Sequence, residues 1–97
     1  MQREEAIAKL QACEADIKGL GATALFMFGS TARDEAGASS DVDLFVDYDP
    51  ARFGLVELVR LRERLSKDLG VAADLTTREG LHPRLRGAIE AEALKVL

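Results

Sequence analysis

The stretch ALFMFGSTARDEAGASSDVDLFV, residues 24–46, decides how this chain folds. Its two apolar ends, 24–28 and 44–46, enclose a polar segment that carries a Gly-Ser pair and an Asp-Val-Asp triplet. This pattern predicts a strand, a tight turn, a short helix, a loop and a second strand. The pair follows the end of the first strand and the triplet opens the second, so the two strands must be antiparallel if they are neighbours.

The pair Gly29 and Ser30 has the residue types of a phosphate site. Glycine lets a ligand approach the backbone closely, and the serine hydroxyl can cap the helix that we expect over residues 31–36. Free backbone N–H groups at the start of a helix attract polyphosphates. Residues 37–40 form the predicted loop back to the second strand. The pair therefore predicts a phosphate cradle, although it also fits a simple turn with an N-cap.

Two carboxylates, Asp41 and Asp43, follow Ser30 after ten intervening residues. Because side chains alternate along a strand, both carboxylates should point to the same face of the sheet and towards the phosphate cradle. Paired hard oxygen ligands beside a phosphate site are what Mg²⁺ needs to hold a nucleoside triphosphate. The arrangement predicts a metal-dependent nucleotide site. The alternative is that the aspartates are only the solvated start of a strand.

The composition is that of an ordinary globular protein. A length of 97 residues predicts one domain, 1–97, and a content of 47% hydrophobic and 31% charged residues is ordinary for a soluble globular protein. The sequence has no apolar run of membrane-spanning length. The net charge of −4 argues against general nucleic-acid binding, which needs an excess of Lys and Arg. Cys13 is the single cysteine and the N-terminus is charged from Arg3 onward, so we expect no disulfide, no signal peptide and a cytoplasmic location.

The rest of the chain predicts helices that alternate with strands. A long helix between the second and third strands favours parallel pairing of those two, and hence a mixed sheet. Asp47 is expected in the turn after the second strand, and Gly70 at the end of the long helix. The predicted elements are helices at 2–19 and 51–69, strands at 22–28, 41–46 and 71–76, and a short closing strand at 93–97.

A last helix is predicted after Pro83, with Leu85 and Ile89 facing inward. The segment 76–79, Thr-Thr-Arg-Glu, has the spacing of a capping box. His82 is better interpreted as a loop residue than as a metal ligand, because residues that could complete a metal set with it are lacking.

Asp74 is the only charged residue of the third strand. A carboxylate among Val71, Ala73 and Leu75 is costly to bury without a partner, so it should reach a cation or solvent. One explanation is a surface charge on an edge strand.

Four further candidates have plain structural explanations. Arg33 fits a phosphate contact and a solvated charge about equally well. Cys13 falls on the apolar stripe of the first helix, which favours a core residue over a nucleophile. Tyr48 is better explained as a surface aromatic than as a catalytic group. The arginines of 51–69 alternate with acidic residues, which favours a solvated face with ion pairs over a nucleic-acid patch.

The chain resembles the polymerase-beta-type nucleotidyltransferase superfamily, and most of all its minimal branch, the MNT-domain antitoxins. The resemblance lies in a Gly-Ser pair followed after ten residues by Asp-x-Asp, with LFMF before the pair and LFV after the triplet. The likeness continues through DVDLFVDYDP, the following helix, ADLTT and the closing LHPRLRGAIEAEALKVL. Two positions differ, since Asp34 stands where the family often has Gly and Thr31 where Arg is common. With the predicted elements, the resemblance implies an α/β fold with a three- or four-stranded mixed sheet flanked by helices.

The resemblance also implies a reaction, nucleotidyl transfer from ATP with two Mg²⁺ ions. Asp41 and Asp43 would hold metal against the phosphates, and Asp74 would be the third catalytic carboxylate, binding the second ion and activating the acceptor hydroxyl. The predicted nucleotide-binding residues are Gly29, Ser30, Arg33 and Ser40.

The acceptor implied by the resemblance is a tyrosine of a HEPN-type ribonuclease toxin, which would be silenced by AMP and would form a hetero-oligomer with this chain. One alternative is a binding-only antitoxin that neutralises its partner by occlusion. Another is transfer to RNA or to a small molecule, which normally requires an added recognition domain. Membrane and nucleic-acid partners are not expected.

Overall fold

The structure is a computed structural model that describes residues 1–37 and 40–97. Within these residues four strands form one sheet in the order β3-β2-β1-β4. The strands are β1 (Ala22–Phe28), β2 (Val42–Tyr48), β3 (Ala73–Thr77) and β4 (Leu94–Lys95). β1 pairs antiparallel with β2 and with β4, whereas β2 pairs parallel with β3. The predicted α/β fold with a mixed sheet is therefore confirmed.

The two faces of the sheet differ because side chains alternate along each strand. Val42, Leu44 and Val46 of β2 are fully buried in the core on one face, with Leu25 and Met27 of β1. Most of the helical residues in this core come from α1 (Arg3–Gln11), α2 (Glu14–Gly19) and α4 (Leu55–Leu69). The opposite face carries the intervening residues, and there the rings of Phe26 and Phe45 stack with centroids 4.7 Å apart.

The N-terminal helix predicted over 2–19 is broken in two, which corrects that prediction. After α1, the Cys13 N–H bonds the Leu10 carbonyl at 3.0 Å, a tight turn that ends the regular helical pattern before α2 begins. Leu10 and Ile17 remain buried on either side of the break. Because neither Gly nor Pro lies at the break, the apolar period alone could not reveal it.

Other boundaries also differ from the prediction, including those of β3 and β4. The short helix α3 (Gly29–Ala32) begins at the glycine rather than at residue 31. The second strand continues through Asp47, which is therefore not a turn residue. α4 begins at Leu55, where the Gly54 N–H donates to Glu57 Oε1 at 2.7 Å, and Gly70 ends it in the left-handed conformation at φ +78° as expected.

The C-terminal part also required corrections. The capping hydroxyl is that of Thr77, which accepts the Gly80 N–H at 3.1 Å and caps a 3₁₀ turn, so the predicted capping box over 76–79 is wrong. The last helix, α5 (Arg86–Glu92), starts three residues after Pro83. Leu85 lies outside it and is 55% exposed rather than inward-facing, whereas Ile89 is half-buried.

Two features complete the description. Part of the predicted loop 37–40, residues 38 and 39, lies outside the described residues. Among the helices of 1–37 and 40–97, none combines the length and the apolar character that a membrane crossing requires.

Candidate active site

The junction between β1 and α3 places the backbone of Gly29 against the carboxylate of Asp43. Phe28, the last residue of β1, pairs with Asp43 across the antiparallel ladder, so the next residue, Gly29, lies beside the Asp43 side chain. Gly29 has φ +72°, and a Cβ added there would overlap Asp43 Oδ2 and lie 3.2 Å from its Cγ. Only glycine combines this conformation with this contact at no steric cost. The turn thus needs Gly29 for two separate reasons.

The strand register brings Asp43 and Asp74 side by side. The two residues are Cα partners on the parallel neighbours β2 and β3. Burial raises the pKa of Asp43, and the nearby charges of Asp74 and Asp41 raise it further. The structure therefore brings Asp43 and Asp74 together on adjacent strands, whereas Asp41 precedes β2 and acts on Asp43 through its charge. Asp74 is exposed on the edge strand β3, so its side chain reaches solvent as expected.

The carboxylates fit a hard cation. Their crowding makes the ionised form of Asp43 unfavourable, and a divalent ion would relieve the repulsion. Within residues 1–37 and 40–97, no three His, Cys, Asp or Glu side chains form a group that could hold a metal ion by themselves. Mg²⁺ is usually bound through one or two carboxylates with phosphate oxygens and water completing its shell, and this donor set suits that mode of binding.

The backbone beside the carboxylates is occupied by an acidic side chain that the sequence did not point to. The Gly29 N–H donates to Glu92 Oε1 at 3.3 Å. Arg33 Nη1 lies 3.3 and 3.4 Å from the two oxygens of the same carboxylate, and its Nε contacts Glu35 at 3.3 Å. Arg33 is thus held by carboxylates, and it is neither a fully solvated charge nor isolated. Glu92 lies 63 residues from Gly29, and no local pattern marks it.

The hydroxyls of the predicted cradle have other positions than expected. Phe28 is the N-cap of α3, so Ser30 lies inside the helix and the predicted cap is wrong. Ser40 Oγ accepts the Gly37 N–H at 3.0 Å. Thr31 is only 1% exposed, and within the described residues its hydroxyl has no partner.

Asp34, which stands where the resembled family often has Gly, has φ +59°. Asp is one of the few other residues that tolerate this left-handed conformation. Its Oδ1 accepts the Arg3 N–H at 3.0 Å, at the first residue of α1. The carboxylate is therefore engaged at the start of another helix, and the charge that it adds near the cradle is partly compensated.

A second charged cluster lies on the sheet face that carries Phe26 and Phe45, and the sequence analysis did not predict it. Arg78 donates from Nε and Nη2 to the two oxygens of Asp47 at 2.8 Å each, and from Nη1 to Glu90. Its guanidinium carbon lies 4.9 Å from the ring centroids of Phe26 and Phe45. The hydrogen bonds from Arg78 lower the pKa of Asp47. The signal available in the sequence was the alternation that puts Asp47 on the face of Asp43.

The remaining candidates lie outside the site. Cys13 is buried in the core as expected, and its thiol donates to Asp68 at 2.9 Å. Burial raises the pKa of that thiol, which makes it a poor nucleophile. Tyr48 is half-buried against Phe53, with centroids 5.4 Å apart. His82 is an exposed loop residue whose Nδ1 accepts the Arg84 N–H at 3.2 Å, as the loop interpretation predicted.

Comparison with known proteins gives this geometry a context. The family of nucleotidyltransferase domains matches residues 9–96. Two proteins of Methanocaldococcus jannaschii, both named "Putative protein adenylyltransferase", are similar along most of their length. One is 39% identical over 71 residues, which is 73% of this chain and 75% of that protein. The other is 36% identical over 72 residues, 72% of this chain and 71% of that protein.

Two solved structures have a similar fold. A structure named "putative minimal nucleotidyltransferase" superposes with a TM-score of 0.83 at 37% identity and covers 97% of this chain and 95% of its own. A toxin-antitoxin crystal structure with AMP-PNP superposes with a TM-score of 0.74, covering 94% of this chain and 72% of its own. The second is 17% identical, so it supports the fold alone.

Proposed function

Because this chain belongs to the nucleotidyltransferase domain family, we propose that it is a protein adenylyltransferase that transfers AMP from ATP to a partner protein. The observation that carries the proposal is the pairing of Asp43 with Asp74 on adjacent strands, directly against the Gly29 turn. Carboxylates that crowd one another beside a backbone N–H group suit a site that binds metal and phosphate together. The names of the relatives support protein as the acceptor class.

Each site residue has a proposed role. Asp41 and Asp43 would hold Mg²⁺ against the triphosphate, and Asp74 would hold the second ion and accept the proton of the attacking hydroxyl. That oxygen would form a bond to the α-phosphorus while the bond to the bridging oxygen breaks and pyrophosphate leaves. Mg²⁺ would supply Lewis-acid stabilisation of the attacking and leaving oxygens. The proposed phosphate donors are the Gly29 N–H, the Arg33 guanidinium and the hydroxyls of Ser30 and Ser40.

The acceptor that we propose is a tyrosine of a HEPN-type toxin, with which this chain would form a hetero-oligomer in the cytoplasm. A toxin-antitoxin structure with a nucleotide analogue has the same fold, so this fold occurs in such a complex. An in-line reaction requires the acceptor hydroxyl to be positioned against the α-phosphate, and a docked protein can do this. The free thiol of Cys13, the single cysteine, suits a reducing compartment.

The second candidate function is a binding-only antitoxin that occludes its partner without catalysis. The observation that favours it is Glu92, whose carboxylate occupies the Gly29 N–H and Arg33. A site that never bound nucleotide could keep this contact permanently. The two hypotheses differ in whether the partner acquires a covalent AMP.

The test is incubation with ATP, Mg²⁺ and the protein encoded by the neighbouring gene, followed by intact mass measurement. We expect the partner to gain one or more AMP units, and Asp41→Asn/Asp43→Asn protein to bind the partner without modifying it. Asp16→Asn, which removes an exposed carboxylate of α2, is the matched control and should retain transfer. If no adduct forms and the double variant still neutralises the partner, the binding-only hypothesis is correct.

A further inference from the structure

The carboxylate of Glu92 bridges two groups of the candidate site. Glu92 is the last residue of α5, and its Oε1 accepts the Gly29 N–H at 3.3 Å. Both of its oxygens lie within hydrogen-bonding distance of Arg33 Nη1, at 3.3 and 3.4 Å. One acidic side chain from the C-terminal helix therefore occupies both a backbone donor and a cationic donor of the turn.

Those two donors are the ones that the proposed function assigns to the triphosphate. Guanidinium and backbone N–H groups bind carboxylate and phosphate oxygens in the same way, because both ligands present negatively charged acceptors. A phosphate oxygen placed on the Gly29 N–H would occupy the position of Glu92 Oε1. The two anions also repel each other, so they cannot share the site.

The Glu92 contact is of a kind that can be released. The side chains of Arg33 and Glu92 are 48% and 39% exposed, and no residue of α5, all of which the structure describes, is buried. Exposed ion pairs contribute little to stability because water screens them. A triphosphate carries more charge than one carboxylate and can bring metal with it, so it can displace the side chain.

We propose that Glu92 is an internal competitor that occupies the phosphate position in the nucleotide-free protein and must leave before triphosphate binds. This inference rests on the proposed function of the site. It assigns Glu92 a regulatory role, since the apparent nucleotide affinity falls with the fraction of molecules whose donors are occupied. Any change that draws α5 away from the turn should raise that affinity.

The test is calorimetric titration with Mg²⁺ and AMP-PNP, a non-hydrolysable ATP analogue. Glu92→Ala should bind the analogue about two- to five-fold more tightly than the wild type, from the usual range for exposed ion pairs, and Glu92→Gln by less because its amide oxygen can still accept. Glu35→Gln is the matched control, because it removes a carboxylate from Arg33 without touching Gly29. We expect a smaller gain from it.

A second measurement tests the contact without nucleotide. The Gly29 amide resonance in a ¹H–¹⁵N spectrum should move in Glu92→Ala and stay in place in Glu35→Gln. Equal affinities of wild type and Glu92→Ala, or an equal gain from Glu35→Gln, would overturn the inference while leaving the proposed function intact. If neither the wild type nor any variant binds the analogue, the proposed function itself fails and the inference with it.

Discussion

Replacing Gly29 by alanine tests the geometry on which the site depends. Gly29 has φ +72°, and a side chain in the left-handed region costs about 1–2 kcal/mol. The new Cβ would also overlap the Asp43 carboxylate, with Cγ only 3.2 Å away. Turning that carboxylate off its rotamer adds about 0.5–1.5 kcal/mol. Gly29→Ala should therefore cost about 1.5–3.5 kcal/mol in total.

Gly70 provides the matched control. It has nearly the same backbone conformation, φ +78°, but an added Cβ would meet nothing within 4 Å. Gly70→Ala should therefore lose only the backbone contribution, about 1–2 kcal/mol. Each kcal/mol corresponds to about 4–8 °C in Tm for a domain of this size, so both losses are measurable by thermal unfolding.

The two variants should differ most in function. A displacement of about 1 Å at a reacting group can lower a rate about a hundred-fold, so Gly29→Ala should lose Mg²⁺-dependent transfer while Gly70→Ala keeps it. The assay is the transfer rate at a temperature where both variants are folded. If the two variants lose equal stability and keep equal activity, the contact between Gly29 and Asp43 does not shape the site.

Three further predictions concern charge and packing. In metal-free protein Asp43→Asn should raise Tm, because burial and neighbouring carboxylates raise the pKa of Asp43 and make its charge unfavourable. Added Mg²⁺ should then raise the Tm of the wild type more than that of the variant. Asp47→Asn should lower the free energy of unfolding by about 1 kcal/mol at pH 7, since Arg78 lowers the pKa of Asp47, and urea titrations should show the difference shrinking as the pH falls below the ordinary value of 3.8. Leu65→Ala in the core should cost about 2–5 kcal/mol, whereas Leu55→Ala, 77% exposed, should change stability by less than about 0.5 kcal/mol; similar losses would contradict the assigned core.

Much of the fold follows from local pattern. The order of turn and triplet required the first two strands to be antiparallel if they are neighbours, and β1 and β2 are antiparallel neighbours. The long helix between the second and third strands predicted their parallel pairing. The nucleotidyltransferase prediction from Gly-Ser and Asp-x-Asp is confirmed at the level of the family. The individual roles of Asp41, Asp43 and Asp74 stay predictions.

The sequence by itself determined the features that neighbouring residues decide. These are the order of helices and strands, the end of the long helix at Gly70, and the position of Asp41 and Asp43 after the Gly-Ser turn. The tertiary structure alone decided the contacts between distant segments. Glu92 meets Gly29 across 63 residues, and Arg78 meets Asp47 across 31. From the sequence alone, such a charged side chain is interpreted as solvated. Its partner lies far along the chain and is brought close only by the packing of the strands and α5, which local sequence periodicity does not reveal.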